Sequence, residues 1–220
     1  MRQIQEDTYR HKGLRRKLIE EIRKKGITDE KVLAAIEAIP RHYFLDPAFD
    51  KIAYEDRAFP IGSGQTISQP YTVAYQTELL QVKRLDKVLE IGTGSVYQSS
   101  VLAEMGAQVY TIERQKQLYD KNLKEYPFKS KYKKIKFFYG DGYEGLPTFA
   151  PFDKILITAA APFIPDALVD QLKPNGILVL PLGNDEVQTM TRITKLPNGE
   201  LQTETFSDFI FVPMLSGKAK

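Results

Sequence analysis

Apolar positions along the chain follow three successive rhythms. From residue 14 to 39 they recur every three or four residues, as Leu14, Leu18 and Ile22 and then Val32, Leu33, Ile36 and Ile39, with charged residues between them. That spacing predicts two short amphipathic helices. One covers 14–25 and stops at Gly26. The other opens on Thr28 as N-cap, carries Asp29 and Glu30 near its positive end, and is closed by Pro40. From residue 88 the pattern becomes short continuous apolar runs at 88–91, 109–112, 135–139, 153–158 and 177–180, which read as buried strands. Helical stretches at 71–82, 97–105, 115–126 and 165–172 alternate with them. Alternating strands and helices predict an α/β fold with a mostly parallel sheet. Beyond residue 186 two strand-like runs, 187–196 and 200–206, flank Pro197-Asn198-Gly199 and predict an antiparallel hairpin. A last apolar run spans 209–212, and 216–220 reads as a frayed tail. Between the helical start and the sheet, residues 41–70 are irregular and end in a polar, glycine-bearing loop.

Candidate chemistry gathers at the carboxyl ends of the predicted strands. Gly92-Thr93-Gly94 follows the 88–91 run and precedes a helix, an arrangement that presents backbone to a nucleotide in an open α/β sheet. An ordinary βα turn has the same outline. Glu113 ends the next strand, about 20 residues past the turn, where a carboxylate can accept both ribose hydroxyls. The third glycine of a dinucleotide fingerprint is replaced by Tyr97, so a pyrophosphate site is not indicated. Glu90, just before the turn, would repel a diphosphate and suits a cationic ligand portion such as a sulfonium. That charge argument favours S-adenosylmethionine over NAD. Asp141, in Gly140-Asp141-Gly142, stands where it could accept from an exocyclic amine, or is a plain turn residue. Ser68 lies just before a helix start. It is either a helix cap or a hydrogen-bond donor to an anion beside free backbone N–H groups.

Composition narrows the classes. With 220 residues, 42% of them hydrophobic, the chain fits one unit over 1–220, with an N-terminal helical cap and loop at 1–70 and a core at 71–220. It has no cysteine, which excludes disulfides and thiolate metal sites. His11 and His42 are the only histidines and stand far apart in sequence, so no metal site is expected. A net charge of +3 is too mild to imply nucleic acid. Lys129, Lys131, Lys133, Lys134 and Lys136 read as a solvated turn, with an RNA contact as the sharper alternative. Arg15, Arg16, Lys17, Arg23, Lys24 and Lys25 read as a solvated face. No apolar run is long enough for a membrane span, and Met1 to Asp7 lack a signal-peptide core. A cytoplasmic monomer is the expectation.

With these stretches placed, the sequence resembles the protein-L-isoaspartate O-methyltransferase family from about Leu14 to Leu215. Gly26-Ile27-Thr28-Asp29, Ile39-Pro40-Arg41-His42 and Tyr54-Glu55-Asp56-Arg57 are similar to its N-terminal segment. Gly64 to Pro70 is similar to its substrate loop, Val88 to Gly94 to its first methyltransferase motif, and Gly140-Asp141-Gly142 to its adenine turn. The resemblance implies a Rossmann-like S-adenosylmethionine-dependent methyltransferase sheet with a C-terminal antiparallel hairpin. It implies methyl transfer to the α-carboxylate of L-isoaspartyl residues in damaged proteins, followed by collapse of the ester to a succinimide. It places Thr66 and Ser68 at the acceptor carboxylate, Ser68 as the catalytic residue. It places Glu90 at the methionine side of the cofactor, with Gly92, Thr93 and Gly94 beside it, Glu113 at the ribose, and Asp141 and Gly142 at the adenine. An α-carboxyl titrates near about 3.5, so the acceptor is already a nucleophile and needs no general base. The family's motif has glycine where this chain has Val96, and a helical φ that valine tolerates is expected there. The alternatives are a methyltransferase with another acceptor, such as RNA, and a non-catalytic relative impaired in cofactor binding by Val96.

Overall fold

The computed structural model describes residues 6–184 and 186–219. Met1 to Gln5, read above for targeting, and Lys220 of the tail lie outside them. Helix α1, Tyr9–Lys24, begins earlier than the apolar spacing indicates because Thr8 caps it: its hydroxyl accepts from His11 N, and the His11 ring returns to Thr8 N. Helix α2, Glu30–Ala38, is capped by Asp29, whose carboxylate accepts from Lys31 N and Val32 N. Thr28 is not the cap. Its N–H and hydroxyl both donate to Glu78.

The irregular stretch is more ordered than its composition suggests. Two 3-10 turns, Arg41–Phe44 and Pro47–Ile52, lead into strands β1, Phe59–Gly62, and β2, Gln65–Ile67, paired antiparallel. The glycine-bearing loop is therefore a hairpin, turning at Ser63 and Gly64 with φ of 52° and 66°. Helix α3, Pro70–Leu80, follows directly; Gln69 is its N-cap residue, and the first-turn Tyr71 N donates to Asp56 at 2.7 Å. The cap reading of Ser68 is thereby set aside.

The rest builds one sheet. Its elements are β3 (Lys87–Ile91), α4 (Tyr97–Glu104), β4 (Gln108–Glu113), α5 (Lys116–Glu125), β5 (Ile135–Tyr139), β6 (Phe152–Ile157), α6 (Asp166–Asp170), β7 (Leu172–Gly183), β8 (Gln188–Lys195) and β9 (Leu201–Phe209). The order is β5-β4-β3-β6-β7-β8-β9, parallel from β5 through β7 and antiparallel for the last two pairings. Helix α6 is shorter than its sequence pattern because Leu172 already pairs with Phe152. The Pro174-Asn175-Gly176 turn becomes an irregularity inside β7, where Asn175 has φ of 62°.

Alternation along the strands divides the core. Leu89, Ile91, Ile112, Ile155 and Leu178 are buried on one face. Val88, Val109, Leu156 and Val179 join Leu18, Ile22, Leu33 and Ile36 of α1 and α2 on the other, so the N-terminal helices and the sheet share one apolar cluster. Arg15 does not belong to a solvated face. It is 7% exposed and pairs with Asp7 at 3.0 Å and with the Tyr54 hydroxyl at 3.0 Å. The two histidines, distant in sequence, meet in space with ring centroids 3.9 Å apart and planes at 25°. Their ring nitrogens and a carboxylate oxygen of Asp7 lie within 4.8 Å of one another. Among the described residues no helix is long and apolar enough to cross a membrane.

Candidate active site

The chain leaves β3 for β4 and β5 on one side and for β6 and β7 on the other, so the carboxyl end of β3 is the switch point of the sheet. A cavity of about 380 Å³ opens there, within the usual range for small-molecule sites. Thr66, Ser68, Gly92, Thr93, Gly94, Glu113 and Gly142 all line it.

The turn after β3 is held by backbone. Gly92 N and Thr93 N both donate to Ile112 O, at 3.0 and 3.1 Å. Gly92 has φ of 98°, and a Cβ there would stand 2.5 Å from Thr158 Oγ1. Thr158 is itself tied to the turn, donating to Ile91 O and Gly92 O at 2.9 Å each. Gly142 is required for space: a Cβ would come within 2.4 Å of Ile91 Cγ2.

Glu113 is 4% exposed, yet it faces the cavity. Gly94 N donates to one carboxylate oxygen at 2.9 Å and Gln115 N to the other at 2.8 Å. Each oxygen keeps a second lone pair for a ligand. Burial raises its proton affinity, and the backbone N–H donors of Gln115, Gly94 and Arg114 oppose that rise.

Two sequence candidates are not on the cavity wall. Glu90 is fully buried and faces α4, because alternation puts it on the Val88 face. The Ser99 hydroxyl donates to its carboxyl. Thr111, its partner across β4, links onward to Thr93 Oγ1 at 2.7 Å. Glu90 therefore lies beneath the turn, behind the cavity wall. Asp141 holds structure as well. Its oxygens accept from Tyr143 N at 2.9 Å and from Gly217 N at 2.5 Å. The carboxylate expected at an adenine amine is thus bonded to the C-terminal segment.

That segment is the part sequence reading missed. Residues 210–215 form one wall of the cavity, and the stretch read as frayed is anchored. Arg114 donates to Ser216 O and Gly217 O, Ala219 N to Arg114 O, and Lys116 N to Ala219 O. Ser95, Gln98, Arg114 and Thr158 also line the cavity. Their positions beside the turn and at the ends of β4 and β6 were the available signal.

Val96 corrects one expectation. Its φ is 71°, in the left-handed region and not helical. Its side chain is fully buried in the apolar cluster and is absent from the cavity wall. A β-branched residue in that conformation carries on the order of 1–3 kcal/mol of strain. Glycine there would release strain, whereas alanine would lose packing and keep most of it. Val96→Gly is therefore expected to be more stable than Val96→Ala by about 1 kcal/mol, or about 2–4 °C in Tm. Thermal unfolding of both variants measures it, and the ordinary order, alanine above glycine, would refute the strain.

A nucleotide-type turn, a buried carboxylate ending the next strand, and a cavity at the switch point of a mostly parallel sheet define a Rossmann-like nucleoside-binding protein, and the comparisons with known proteins narrow it to the S-adenosylmethionine-dependent methyltransferases. The sequence profile of the protein-L-isoaspartate(D-aspartate) O-methyltransferase family matches residues 13–219, and the chain belongs to that family. It is 57% identical over 210 residues to a protein-L-isoaspartate O-methyltransferase of Cytophaga hutchinsonii, covering 96% of this chain and 94% of that one. A protein of the same description from Christiangramia forsetii is 54% identical over 212 residues, covering 96% and 99%. A solved protein-L-isoaspartate O-methyltransferase superposes with a TM-score of 0.80 at 26% identity; the match covers 90% of this chain and 65% of the solved one. A Plasmodium falciparum structure, described as a complex with S-adenosyl-L-homocysteine, superposes with a TM-score of 0.77 at 28% identity, covering 93% and 98%.

Proposed function

We propose that the chain transfers a methyl group from S-adenosyl-L-methionine to the α-carboxylate of L-isoaspartyl residues in damaged proteins, the first step of their repair through a succinimide. One observation carries this reading. The hairpin and loop bearing Thr66 and Ser68 face the Gly92–Gly94 turn across a single cavity, so an acceptor site and a nucleoside site share one space.

The residues present suit the cofactor. Glu113, fixed by backbone N–H groups, would hold the ribose hydroxyls. Gly92, Thr93 and Gly94 would border its amino-acid portion, and Gly142, bare of a side chain, leaves room for the base. When bound, S-adenosylmethionine supplies an electrophilic methyl group. The chain's own work is placement. The hydroxyls of Thr66 and Ser68 hold the acceptor carboxylate, and the apolar wall at 210–215 keeps water from competing. No histidine or other base is needed, because the acceptor is ionised at neutral pH. The lysine run at 129–136 leads into β5, with Lys136 its second residue, and so lies at the amino end of that strand, away from the cavity mouth. That placement supports a peptide acceptor over RNA. Val96, packed into the core, supports a working cofactor site.

The test is isothermal titration with S-adenosylhomocysteine, followed by methyl transfer to an isoaspartyl peptide and its aspartyl twin. Binding with a one-to-one stoichiometry and esterification of the isoaspartyl peptide alone are expected. Equal transfer to both peptides, or to neither, overturns the reading.

A further inference from the structure

Two motifs of the N-terminal segment, Ile39-Pro40-Arg41-His42 and Tyr54-Glu55-Asp56-Arg57, contribute nothing to the cavity wall, yet each sends a buried charge to the loop that does. Arg41 is fully buried at the start of its 3-10 turn. Its Nη2 donates to Ser68 O at 2.8 Å and to Arg57 O at 3.3 Å. Its guanidinium lies 4.9 Å from the centre of the Tyr97 ring, and Tyr97 lines the cavity. Asp56 grips the other end of the same loop. One of its oxygens accepts from Tyr71 N at 2.7 Å and the other from the Gln69 amide at 3.0 Å.

We propose that Arg41 is a positioning residue for acceptor binding: it fixes the backbone of Ser68 and sets a buried positive charge behind the loop that receives the acceptor carboxylate. The proposal rests on the methyl-transfer reading above. Geometry supports both halves. A guanidinium holding the Ser68 carbonyl, with Asp56 holding Gln69 and Tyr71 just beyond it, limits where the Ser68 hydroxyl can point. A cation enclosed by protein is poorly screened, and the nearby Asp56 carboxylate offsets only part of it because Lys25 also pairs with Asp56, at 2.5 Å. Burial lowers the Arg41 pKa to about 10, which leaves it charged at neutral pH. By the methyl-transfer reading the cofactor's nucleoside end would be held at Glu113, on the far side of the glycine turn, and would not need this charge.

The experiment compares wild type, Arg41→Lys and Arg41→Gln in KM and kcat for an isoaspartyl peptide, and in Kd for S-adenosylhomocysteine. Arg41→Gln is expected to raise the peptide KM about 10- to 100-fold, the range of one lost charge-assisted interaction, with the homocysteine Kd changed less than about threefold. Arg41→Lys keeps charge without the fork and is expected to fall between, at about three- to tenfold. A merely structural role would weaken both ligands together. Parallel losses, or a peptide KM within threefold of wild type in either folded variant, overturn the proposal. If Arg41→Gln does not fold, Arg41→Lys decides by the same criterion. A wild-type protein that binds S-adenosylhomocysteine but leaves the isoaspartyl peptide unmethylated overturns the parent reading, and this proposal with it.

Discussion

Glu113→Ala is expected to weaken S-adenosylhomocysteine binding by about 10²- to 10³-fold. The carboxylate is set before any ligand arrives. Gly94 N and Gln115 N hold its two oxygens at 2.9 and 2.8 Å, so little rotamer freedom remains to be lost on binding. Two hydrogen bonds from ribose hydroxyls to a buried carboxylate contribute about 1.5–3 kcal/mol each. Alanine removes both and leaves two backbone donors facing the cavity without partners. It also frees the Gly94 amide, on which the glycine turn depends. Glu113→Gln keeps one acceptor oxygen but turns an NH₂ toward a backbone N–H, and should lose about tenfold. Calorimetric titration of both variants measures the two factors. Losses below threefold for alanine would move the ribose away from β4.

The placement of Glu113 was readable because it depends on local order. Strands that follow one another through a single helix become neighbours in a parallel sheet, so their carboxyl ends must adjoin. Gly92, Gly94 and Glu113 could therefore be assembled from spacing alone, and β3 pairs with β4 in that register. The burial of Glu90 was also legible. Val88 and Glu90 are two residues apart in a strand and share a face, which points the carboxyl at α4. The bonding of Asp141 to the C-terminal segment was not legible. Its partner, Gly217, lies 76 residues away, and no periodicity marks the segment that brings it there. Residues 210–215 were hidden in the same way, since they carry neither helix nor strand spacing. The left-handed φ of Val96 had one sequence signal, the family's glycine. A residue that replaces glycine inherits the backbone path when the flanking turn and helix are unchanged. The stack of His11 on His42 was beyond reach, because helix α1 and the turn at 41–44 meet only through tertiary packing.

Glu90→Gln is expected to raise Tm by about 5–10 °C at pH 8 and by far less at pH 5. Burial pushes the Glu90 carboxyl up to about 7 from its ordinary 4.5, against the opposing pull of the Ser99 and Thr111 hydroxyls. Between those two values the folded protein keeps a proton that the unfolded chain has released. Stability is then fully present below about pH 4.5 and falls as pH rises through the folded value, by about 1.4 kcal/mol per pH unit within the window. The total loss is on the order of 3 kcal/mol and levels off above about pH 7. A glutamine has no proton to lose and can still bond both hydroxyls, so its stability should not follow that slope. At about 2–4 °C per kcal/mol for a chain of this size, the Tm difference follows. Equal shifts at pH 5 and pH 8 would show that Glu90 is ionised in the fold at both. The same variant separates the two roles proposed for this position. A carboxylate paired with the ligand's cation would make Glu90→Gln lose at least tenfold in cofactor affinity. A brace beneath the turn, bonded to Ser99 and coupled through Thr111 to Thr93, predicts an affinity within about threefold of wild type together with the gain in stability.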